Sequence, residues 1–204
     1  MKRGLDVSVS LLGLLLSAPL FLVIAALVKA EDGGPVLYRS VRAGLEGRPF
    51  GMLKFRTMVV NADRIGPPST ADDDPRITRT GRALRRFKLD ELPQLLNVLR
   101  GEMSLVGPRP EVLSEVEQYR GEERLLLSVL PGVTDWASLR FRNEGEILRG
   151  SADPHWTYRE KIRPEKIRLG LEYVRRRSLW VDLTILARTA RVTLGLGARA
   201  EAGS

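Results

Sequence analysis

Residues 7–28 read VSVSLLGLLLSAPLFLVIAALV, a run of 22 residues without a charged side chain. Lys2 and Arg3 precede the run, and Lys29 follows it. A straight helix of this length rises roughly 33 Å, which is enough to cross the hydrocarbon core of a bilayer. The run is too long for a cleaved signal peptide, and the sequence SAP at 17–19 is not a usable cleavage site. We therefore expect residues 1–30 to stay on the chain and to insert into a membrane.

Pro19 lies near the middle of this run. It removes one backbone hydrogen bond, and its ring clashes with the carbonyl group of Leu15. In a bilayer the hydroxyl group of Ser17 can partly replace the lost bond. The residues alone leave two arrangements open, a kinked helix that crosses once and a helix–break–helix hairpin that enters and leaves on one side. The flanking charges do not decide, because both ends are basic.

The rest of the chain is predicted to form one domain beside the membrane. No second apolar run of this length occurs, so residues 31–194 form a single water-facing body in this interpretation. Residues 195–204 are rich in small side chains and are expected to be a mobile tail. Strand patterns fall at 36–38 and 50–55 around a turn at 42–49, and helix patterns fall at 79–87, 90–101, 111–120, 158–176 and 180–194. The fold class is α+β and mainly helical.

The amino-acid composition excludes several kinds of catalytic and metal-binding site. The absence of cysteine excludes a disulfide scaffold, a thiolate metal site and a cysteine nucleophile, and the single histidine, His155, excludes a paired-histidine zinc site. The chain has 33 basic and 25 acidic residues, which gives a formal net charge of +8. Such a surplus indicates an anionic partner, such as a nucleic acid, an anionic lipid or a phosphorylated small molecule. The chemistry must rest on carboxylates, basic groups, hydroxyls or a bound cation.

The stretch LRRFKLDELPQLLNVL, residues 84–99, is the most informative about chemistry. Pro93 is acceptable only in the first turn of a helix, which places Asp90 and Glu91 at the N-terminal end of the helix predicted from residue 90. The helix dipole favours carboxylates there and accommodates phosphate groups beside them. An ordinary helix cap explains most acidic pairs of this kind. Here, however, arginines lie just upstream and GPRP follows at 107–110, which favours a site for a phosphorylated ligand.

Two other charged clusters favour simpler interpretations. The acids at 72–74 precede Pro75, which is typical of a solvated loop rather than a metal site. The arginines at 175–177 precede Leu179 and Trp180, and no helix-turn-helix, zinc or aromatic-platform signature accompanies them. We therefore expect anionic lipid headgroups, and no nucleic acid, as their counter-charge. A non-enzymatic membrane-anchored module and a membrane-bound nucleic-acid-binding protein are the alternatives to an enzyme.

Eight motifs follow one another along the chain: GPV at 34–36, KFRTM at 54–58, DPRIT at 74–78, LDELPQL at 89–95, NVLRG at 97–101, MSLVGPRP at 103–110, PGVT at 131–134 and SLWVDL at 178–183. In these motifs and their order the sequence resembles the bacterial sugar transferases that are monotopic phosphoglycosyl transferases. The resemblance covers almost the whole chain. It implies transfer of a sugar-1-phosphate from a UDP-sugar to a polyprenyl phosphate (undecaprenyl phosphate), with release of UMP, at the start of glycan or polysaccharide assembly.

The resemblance also implies a catalytic pair. In a chain with no cysteine and one histidine, a carboxylate is the natural nucleophile for attack on a phosphate. The resemblance assigns that role to Asp90, which would form a covalent aspartyl-phosphosugar intermediate. Glu91 would assist it, either by holding the metal ion or in proton and charge management. Both carboxylates are expected to bind Mg²⁺, because hard cations prefer oxygen ligands.

Basic residues around this pair are assigned by the same resemblance. Those that match the family's polar site positions would contact the diphosphate or the acceptor's phosphate: Lys54, Arg85, Arg109 and Arg142. Asp182 either orients one of the site arginines or is an ordinary acid near the start of a helix. Arg56 and Arg86 are expected to be solvated or to contact lipid headgroups.

The predicted architecture follows from these assignments. A re-entrant helix hairpin, broken near Ala18 and Pro19 with both ends cytoplasmic, precedes a small β-hairpin and amphipathic interfacial helices around one active site. The expected location is the cytoplasmic face of the bacterial inner (plasma) membrane. The expected partners are the UDP-sugar donor, the polyprenyl phosphate acceptor and the lipid bilayer, and the sequence leaves a homodimer open.

Overall fold

The computed structural model describes residues 1–66 and 69–193, so the tail predicted at 195–204 lies outside the described residues. Helices predominate in the described part, and its strands form two two-stranded sheets. The mainly helical α+β class and the small β-hairpin are confirmed. The strands are β1 (Leu37–Ala43), β2 (Pro49–Phe55), β3 (Ser104–Val106) and β4 (Gly132–Thr134).

The helices differ widely in length. In chain order they are α1 (Lys2–Asp32), α2 (Arg79–Arg86), α3 (Gln94–Arg100), α4 (Leu113–Val116), α5 (Trp136–Arg140), α6 (Glu144–Leu148), α7 (Pro154–Thr157), α8 (Arg163–Arg176) and α9 (Leu179–Thr193). Short 3₁₀ turns lie at Leu45–Gly47, Ala62–Arg64, Leu89–Glu91 and Gly121–Ser128, and a π turn at Tyr158–Ile162 leads into α8. The two C-terminal helices predicted from the sequence are confirmed.

The β-hairpin has a regular antiparallel register, from Leu37 opposite Phe55 to Ala43 opposite Pro49. Its first strand is longer than the predicted 36–38, because the backbone pairing continues to the turn. Alternation along the two strands puts one set of side chains on a common face: Tyr38, Ser40, Arg42, Phe50, Met52 and Lys54. The middle of that face is buried and its two ends carry cations.

The second sheet was not predicted. Strands β3 and β4 pair in parallel, with Ser104 opposite Gly132 and Val106 opposite Thr134. The region at 131–132, predicted as a turn, instead leads into β4, and Ser104 N donates to the Pro131 carbonyl at 2.9 Å. Strands of three residues are too short to show an alternating pattern, which is why the sequence did not indicate them.

Three apolar clusters lie in the described part of the chain, one of them around Ala71, Leu148, Tyr158 and Ile162; the other two connect the elements nearest the acidic pair and α1. The larger one joins β2, α3, β3, α8 and α9 through buried side chains: Met52, Val98, Met103, Leu105, Val106, Tyr173 and Ile185. The smaller one packs Ile24 and Val28 of α1 against Phe55 and Leu84. One stripe of the apolar helix is therefore part of the protein core rather than a lipid-facing surface.

Helix α1 is unbroken. The backbone stays helical from Lys2 to Asp32 with Pro19 inside, and Ser17 Oγ donates to the Gly13 carbonyl at 2.6 Å. The prediction of two helices separated by a break near Ala18 and Pro19 is therefore wrong for the backbone. One missing hydrogen bond does not end a helix when the segments on both sides of the proline are held by packing.

Both ends of α1 are bound to the same body. At the N-terminal end, Lys2 Nζ lies 2.6 Å from Asp182 Oδ2. At the C-terminal end, Arg56 pairs with Asp32 through contacts of 2.5 and 2.7 Å. Between them, Leu15 and Leu16 are exposed. Helix α1 is long and apolar enough to cross a membrane, judged by length and composition, and its two ends converge on one domain.

Arg56 and Arg86 have different environments. Arg56 is buried and ion-paired to Asp32, so its predicted exposure to solvent or lipid is wrong; a buried guanidinium needs a carboxylate partner, and α1 supplies one. Arg86 is exposed and lies over the ring of Phe87, 5.7 Å from the centroid. The acids at 72–74 lie in a loop, as predicted, where Asp74 pairs with Arg76 at 2.6 Å.

Two predicted helices are shorter than expected. The helix predicted over 90–101 divides into the 3₁₀ turn Leu89–Glu91 and α3, which begins at Gln94. The helix predicted over 111–120 is the four-residue α4. In α3 the buried positions are Val98 and the polar Gln94 and Asn97 rather than the leucines. Asn97 is buried because its side chain bonds the backbone of β2 at Gly51 O and Leu53 N.

Candidate active site

A tight turn presents the acidic pair. Lys88 adopts a left-handed conformation (φ 57°) just after the end of α2. The chain changes direction there and enters the 3₁₀ turn Leu89–Glu91. Pro93 then caps α3. Asp90 and Glu91 therefore precede the α-helix as a separate turn, and the prediction that both lie in the first turn of one helix is only partly correct. The turn directs the two carboxylates into different surroundings.

Glu91 is held by two cations from distant parts of the chain. Arg109 Nη2 lies 2.5 Å from Glu91 Oε1, and Lys54 Nζ lies 3.3 Å from the same oxygen. Burial acts to raise the pKa of Glu91, but Arg109 and Lys54 together outweigh it, and the pKa lies well below its usual range. Glu91 is therefore ionised and fixes the positions of both cations.

Asp90 is more isolated. Its side chain is 6% exposed, and Oδ1 has no hydrogen-bond partner among the described residues. Burial raises the pKa of Asp90, and the positive charge of Lys54 acts in the opposite direction. A buried carboxylate oxygen without a donor costs free energy in the absence of a ligand. Asp90 is therefore the carboxylate of the pair that is available to react or to bind a ligand.

Arg85 approaches the pair from the end of α2. Thr78 caps the start of this helix by accepting a bond from Gly81 N at 3.0 Å, and the helix carries Arg85 to the site. Arg85 Nε donates to Thr57 Oγ1 at 2.9 Å. Burial lowers the pKa of Arg85, which the negative charge of Asp90 partly offsets. Its terminal guanidinium nitrogens form no ion pair within the described ranges.

Arg109 is positioned by the small parallel sheet. Gly107 N donates to the Thr134 carbonyl at 3.1 Å, and Gly132 N donates to the Pro108 carbonyl at 3.0 Å. These two bonds fix the segment that ends in Arg109. A Cβ atom on Gly132 would lie 2.1 Å from Gly107 N. The backbones at 107 and 132 are therefore so close that only glycine fits at position 132. The sheet that the sequence did not indicate is thus what orients a site arginine.

Two predicted site residues are not in contact with this cluster. Asp182 Oδ2 accepts from Lys2 Nζ, and its Oδ1 accepts from the Tyr173 hydroxyl at 2.8 Å. The proposal that Asp182 orients a site arginine is therefore wrong, because the N-terminal end of α1 supplies its cation. Arg142 Nη1 donates to the Val192 carbonyl of α9, and neither Asp90 nor Glu91 is its partner.

Arg42 is a cation near the site that sequence reasoning missed. It lies on the same face of the hairpin as Lys54, and burial lowers its pKa, to which the positive charge of Arg109 also contributes. Arg42 lies near the end of β1, outside the motifs on which the sequence analysis depended, so the sequence alone did not indicate it. The alternation of the strand places it on the Lys54 face once the hairpin register is known.

The two carboxylates differ in their availability as ligands for a metal ion. Asp90 Oδ1 is buried without a partner, as a ligand oxygen would be, whereas both oxygens of Glu91 accept bonds from Arg109. No group of three or more acidic or histidine side chains suited to a metal occurs in the described part. The residues therefore fit Mg²⁺ in the mode in which one carboxylate and substrate phosphates share the ion.

Three cations, Lys54, Arg85 and Arg109, thus lie beside two carboxylates of unlike character, and Arg42 lies near Lys54 and Arg109. Positive charge exceeds negative charge in this cluster, which suits an anionic ligand. The bacterial sugar transferase family matches residues 1–195. The chain belongs to this family. The match extends over α1, both sheets and the acidic pair, so the expectation from the motifs is confirmed.

Individual relatives extend the comparison. The chain is 37% identical over 202 residues to the UDP-N-acetylgalactosamine-undecaprenyl-phosphate N-acetylgalactosaminephosphotransferase of Aeromonas hydrophila, covering 97% of this chain and 45% of that protein. It is 40% identical over 194 residues to the UDP-glucose:undecaprenyl-phosphate glucose-1-phosphate transferase of Escherichia coli K12, covering 93% and 39%. It is 39% identical over 204 residues to the exopolysaccharide production protein ExoY of Sinorhizobium fredii, covering 92% and 83%. This sugar transferase chain spans less than half the length of the first two relatives.

Proposed function

We propose that this chain transfers a sugar-1-phosphate from a UDP-sugar to undecaprenyl phosphate and releases UMP, as an initiating step of polysaccharide assembly. Support comes from family membership and from the names of relatives that cover nearly the whole chain. The observation that carries the proposal is the buried carboxylate of Asp90, whose Oδ1 has no hydrogen-bond partner among the described residues, in the field of Lys54 and Arg85, with Arg109 bound to the adjacent Glu91. A diphosphate needs the cations, and its cleavage needs a nucleophile.

In the first half-reaction, an Asp90 oxygen attacks the β-phosphorus of the UDP-sugar. A bond forms between this oxygen and phosphorus, and the bond from phosphorus to the bridging oxygen breaks, so that UMP leaves with the electron pair. In the second half-reaction, a phosphate oxygen of undecaprenyl phosphate attacks the same phosphorus and restores the Asp90 carboxylate. This two-step route is the reason that a reactive carboxylate is required.

The cations divide the remaining work. Lys54 and Arg109 are held beside the reacting group by Glu91, and they balance charge on the phosphates without reorganising during the reaction. Arg85 approaches Asp90 from α2 and balances charge on that flank. Asp90 would hold Mg²⁺, and Glu91 would join it if one Glu91 oxygen were released from Arg109. The ion would then neutralise charge on the diphosphate.

The membrane arrangement is part of the same proposal. Both ends of α1 contact the same domain, at Asp182 and at Arg56, so we place both ends at the cytoplasmic face of the inner membrane. This placement requires the continuous helix to bend at Pro19, so that the residues around Pro19 lie deepest in the lipid. Trp180 and Leu183 of α9 are exposed and would lie at the interface. A soluble UDP-sugar and an interfacial lipid phosphate can then meet on one side.

The experiment is a UMP-release screen across UDP-sugars, with the protein in lipid nanodiscs, Mg²⁺ and undecaprenyl phosphate. We expect release with at least one UDP-sugar, dependent on the protein. Absence of release across a broad donor panel, with a folded protein, would favour a membrane-anchored module without this activity.

A further inference from the structure

Arg42 stands on the active-site face of the β-hairpin. It lies opposite Phe50, while Lys54 lies opposite Tyr38 on the same face. Between the two cations, Ser40 and Met52 are buried. The face therefore carries one cation at each end of a short buried row, and Lys54 already contacts Glu91.

The guanidinium group of Arg42 lacks the carboxylate partner that three other arginines of the domain have. Arg56 pairs with Asp32, Arg76 with Asp74 and Arg109 with Glu91. Arg42 makes one hydrogen bond, from Nε to Ser40 Oγ at 3.0 Å, and no ion pair with a described residue. Its two terminal nitrogens make no hydrogen bond with a described residue. Arg42 is half-buried, and a partly desolvated guanidinium group without an ion pair gains free energy when an anion binds it.

Backbone contacts hold Arg42 next to the Arg109 segment. Ala43 N donates to the Glu111 carbonyl at 3.0 Å, which fixes the end of β1 against the chain just after Arg109. The side chain of Glu111 does not neutralise Arg42 by contact, because it accepts a bond from the Tyr158 hydroxyl at 2.6 Å and forms no ion pair with the arginine. Burial lowers the pKa of Arg42, with Glu111 acting against this effect and Arg109 adding to it.

We propose that Arg42 binds a phosphate group of one of the two substrates, through the free nitrogens of its guanidinium group. This inference rests on the proposed function and adds a residue to its binding surface. A planar guanidinium group matches phosphate oxygens with two parallel hydrogen bonds, which a lysine cannot reproduce. The phosphate belongs either to the UDP-sugar or to the lipid acceptor, and the same contact chemistry serves both.

The test compares Arg42→Gln and Arg42→Lys with Arg39→Gln. Arg39 is a matched control because it lies on the same strand, is exposed and faces the opposite side. One arm varies the UDP-sugar in donor-only single turnovers, and the other varies undecaprenyl phosphate at saturating donor. We expect Arg42→Gln to raise the half-saturating concentration of one substrate about tenfold or more, since a charge-assisted hydrogen bond is lost, with a smaller change in the maximal rate. Arg42→Lys should be intermediate and Arg39→Gln unchanged.

The affected arm identifies the source of the phosphate. A second measurement does not depend on turnover. Inorganic pyrophosphate is added to each variant in nanodiscs, and its binding is measured as the increase in the thermal unfolding temperature. Weaker pyrophosphate binding by Arg42→Gln than by Arg39→Gln would support the site even if no UDP-sugar were turned over. Equal values for Arg42→Gln and wild type in both kinetic arms and in pyrophosphate binding would overturn the inference, as would equal losses in Arg39→Gln.

Discussion

Adjacent carboxylates in this protein face opposite electrostatic situations. Asp90 is buried without a donor on Oδ1, whereas Glu91 is bound by Arg109 and Lys54. The first arrangement disfavours a negative charge, and the second stabilises one. Neutral substitutions at two neighbouring positions should therefore have different effects on stability.

Asp90→Asn should abolish UMP release and leave the fold intact. The substitution removes a buried charge that the folded protein disfavours, so the free energy of unfolding should change by no more than about 1 kcal/mol, or increase. Thermal unfolding in nanodiscs and UMP release measure the two effects. A large loss of stability would show that the Asp90 charge is a structural requirement.

Glu91→Gln should destabilise the protein. Removing this carboxylate leaves Arg109 and Lys54 without their common partner. The expected cost is about 2 kcal/mol, less than for a fully buried pair because all three side chains keep some exposure. Denaturant unfolding beside Asp90→Asn provides the comparison. Equal stability of the two variants would mean that the Glu91 ion pairs contribute nothing net.

At the residue scale the sequence predicted the members of one cluster well and several of their partners poorly. The motifs identified Asp90, Glu91, Lys54, Arg85 and Arg109, which the structure brings together. Arg42 and the pairing of Asp182 with Lys2 were missed, because a partner 180 residues away cannot be read from local spacing. Arg56 was misassigned for the same reason.

At the element scale, the parallel pair β3 and β4 controls where Arg109 lies. Gly107 and Gly132 face each other so closely that a Cβ atom at position 132 would lie 2.1 Å from Gly107 N. Gly132→Ala should therefore cost about 2 kcal/mol and displace the segment that carries Arg109, lowering activity. Gly4→Ala is the control, because a Cβ atom there meets nothing within 4 Å. Unfolding and UMP release measured on both variants test this, and a fully active, stable Gly132→Ala would contradict the positioning role.

The elements that the sequence predicted are those with a repeating pattern. The hairpin and helices α2, α8 and α9 follow apolar periodicity or turn residues. The second sheet and the division of the helix predicted over 90–101 depend on contacts between distant segments, such as Ser104 with Pro131. In α3 the buried face combines Val98 with the polar Gln94 and Asn97. Asn97 bonds the backbone of β2, which the apolar pattern of the leucines did not indicate.

At the scale of the whole molecule, the apolar helix is long and apolar enough to cross a membrane, by length and composition, and it is also part of the core. The sequence predicted insertion, but the stripe that packs on Phe55 and Leu84 carries no signal distinct from the exposed residues of the helix. Both ends of the helix contact the same domain. These contacts support the proposed location of both ends on one side of the membrane.

Single-cysteine variants test this topology, since the chain has no cysteine. Gly4→Cys and Ala30→Cys lie at exposed positions near the two ends of α1, and Ser128→Cys on the domain is the control. All three should react with an impermeant maleimide only from the cytoplasmic side. Reaction of Gly4→Cys from the periplasm, with Ser128→Cys protected there, would establish a spanning helix.

Intact-protein mass spectrometry with the donor alone tests the proposal that Asp90 forms a covalent bond to phosphorus. A UDP-sugar that supports UMP release should add the mass of one sugar-phosphate to the wild-type protein in the absence of undecaprenyl phosphate, with the adduct on the peptide that contains Asp90. Asp90→Asn should show no adduct and no UMP. An active wild-type protein without an adduct, together with appreciable turnover by Asp90→Asn, would contradict the account and favour direct transfer between the two bound substrates.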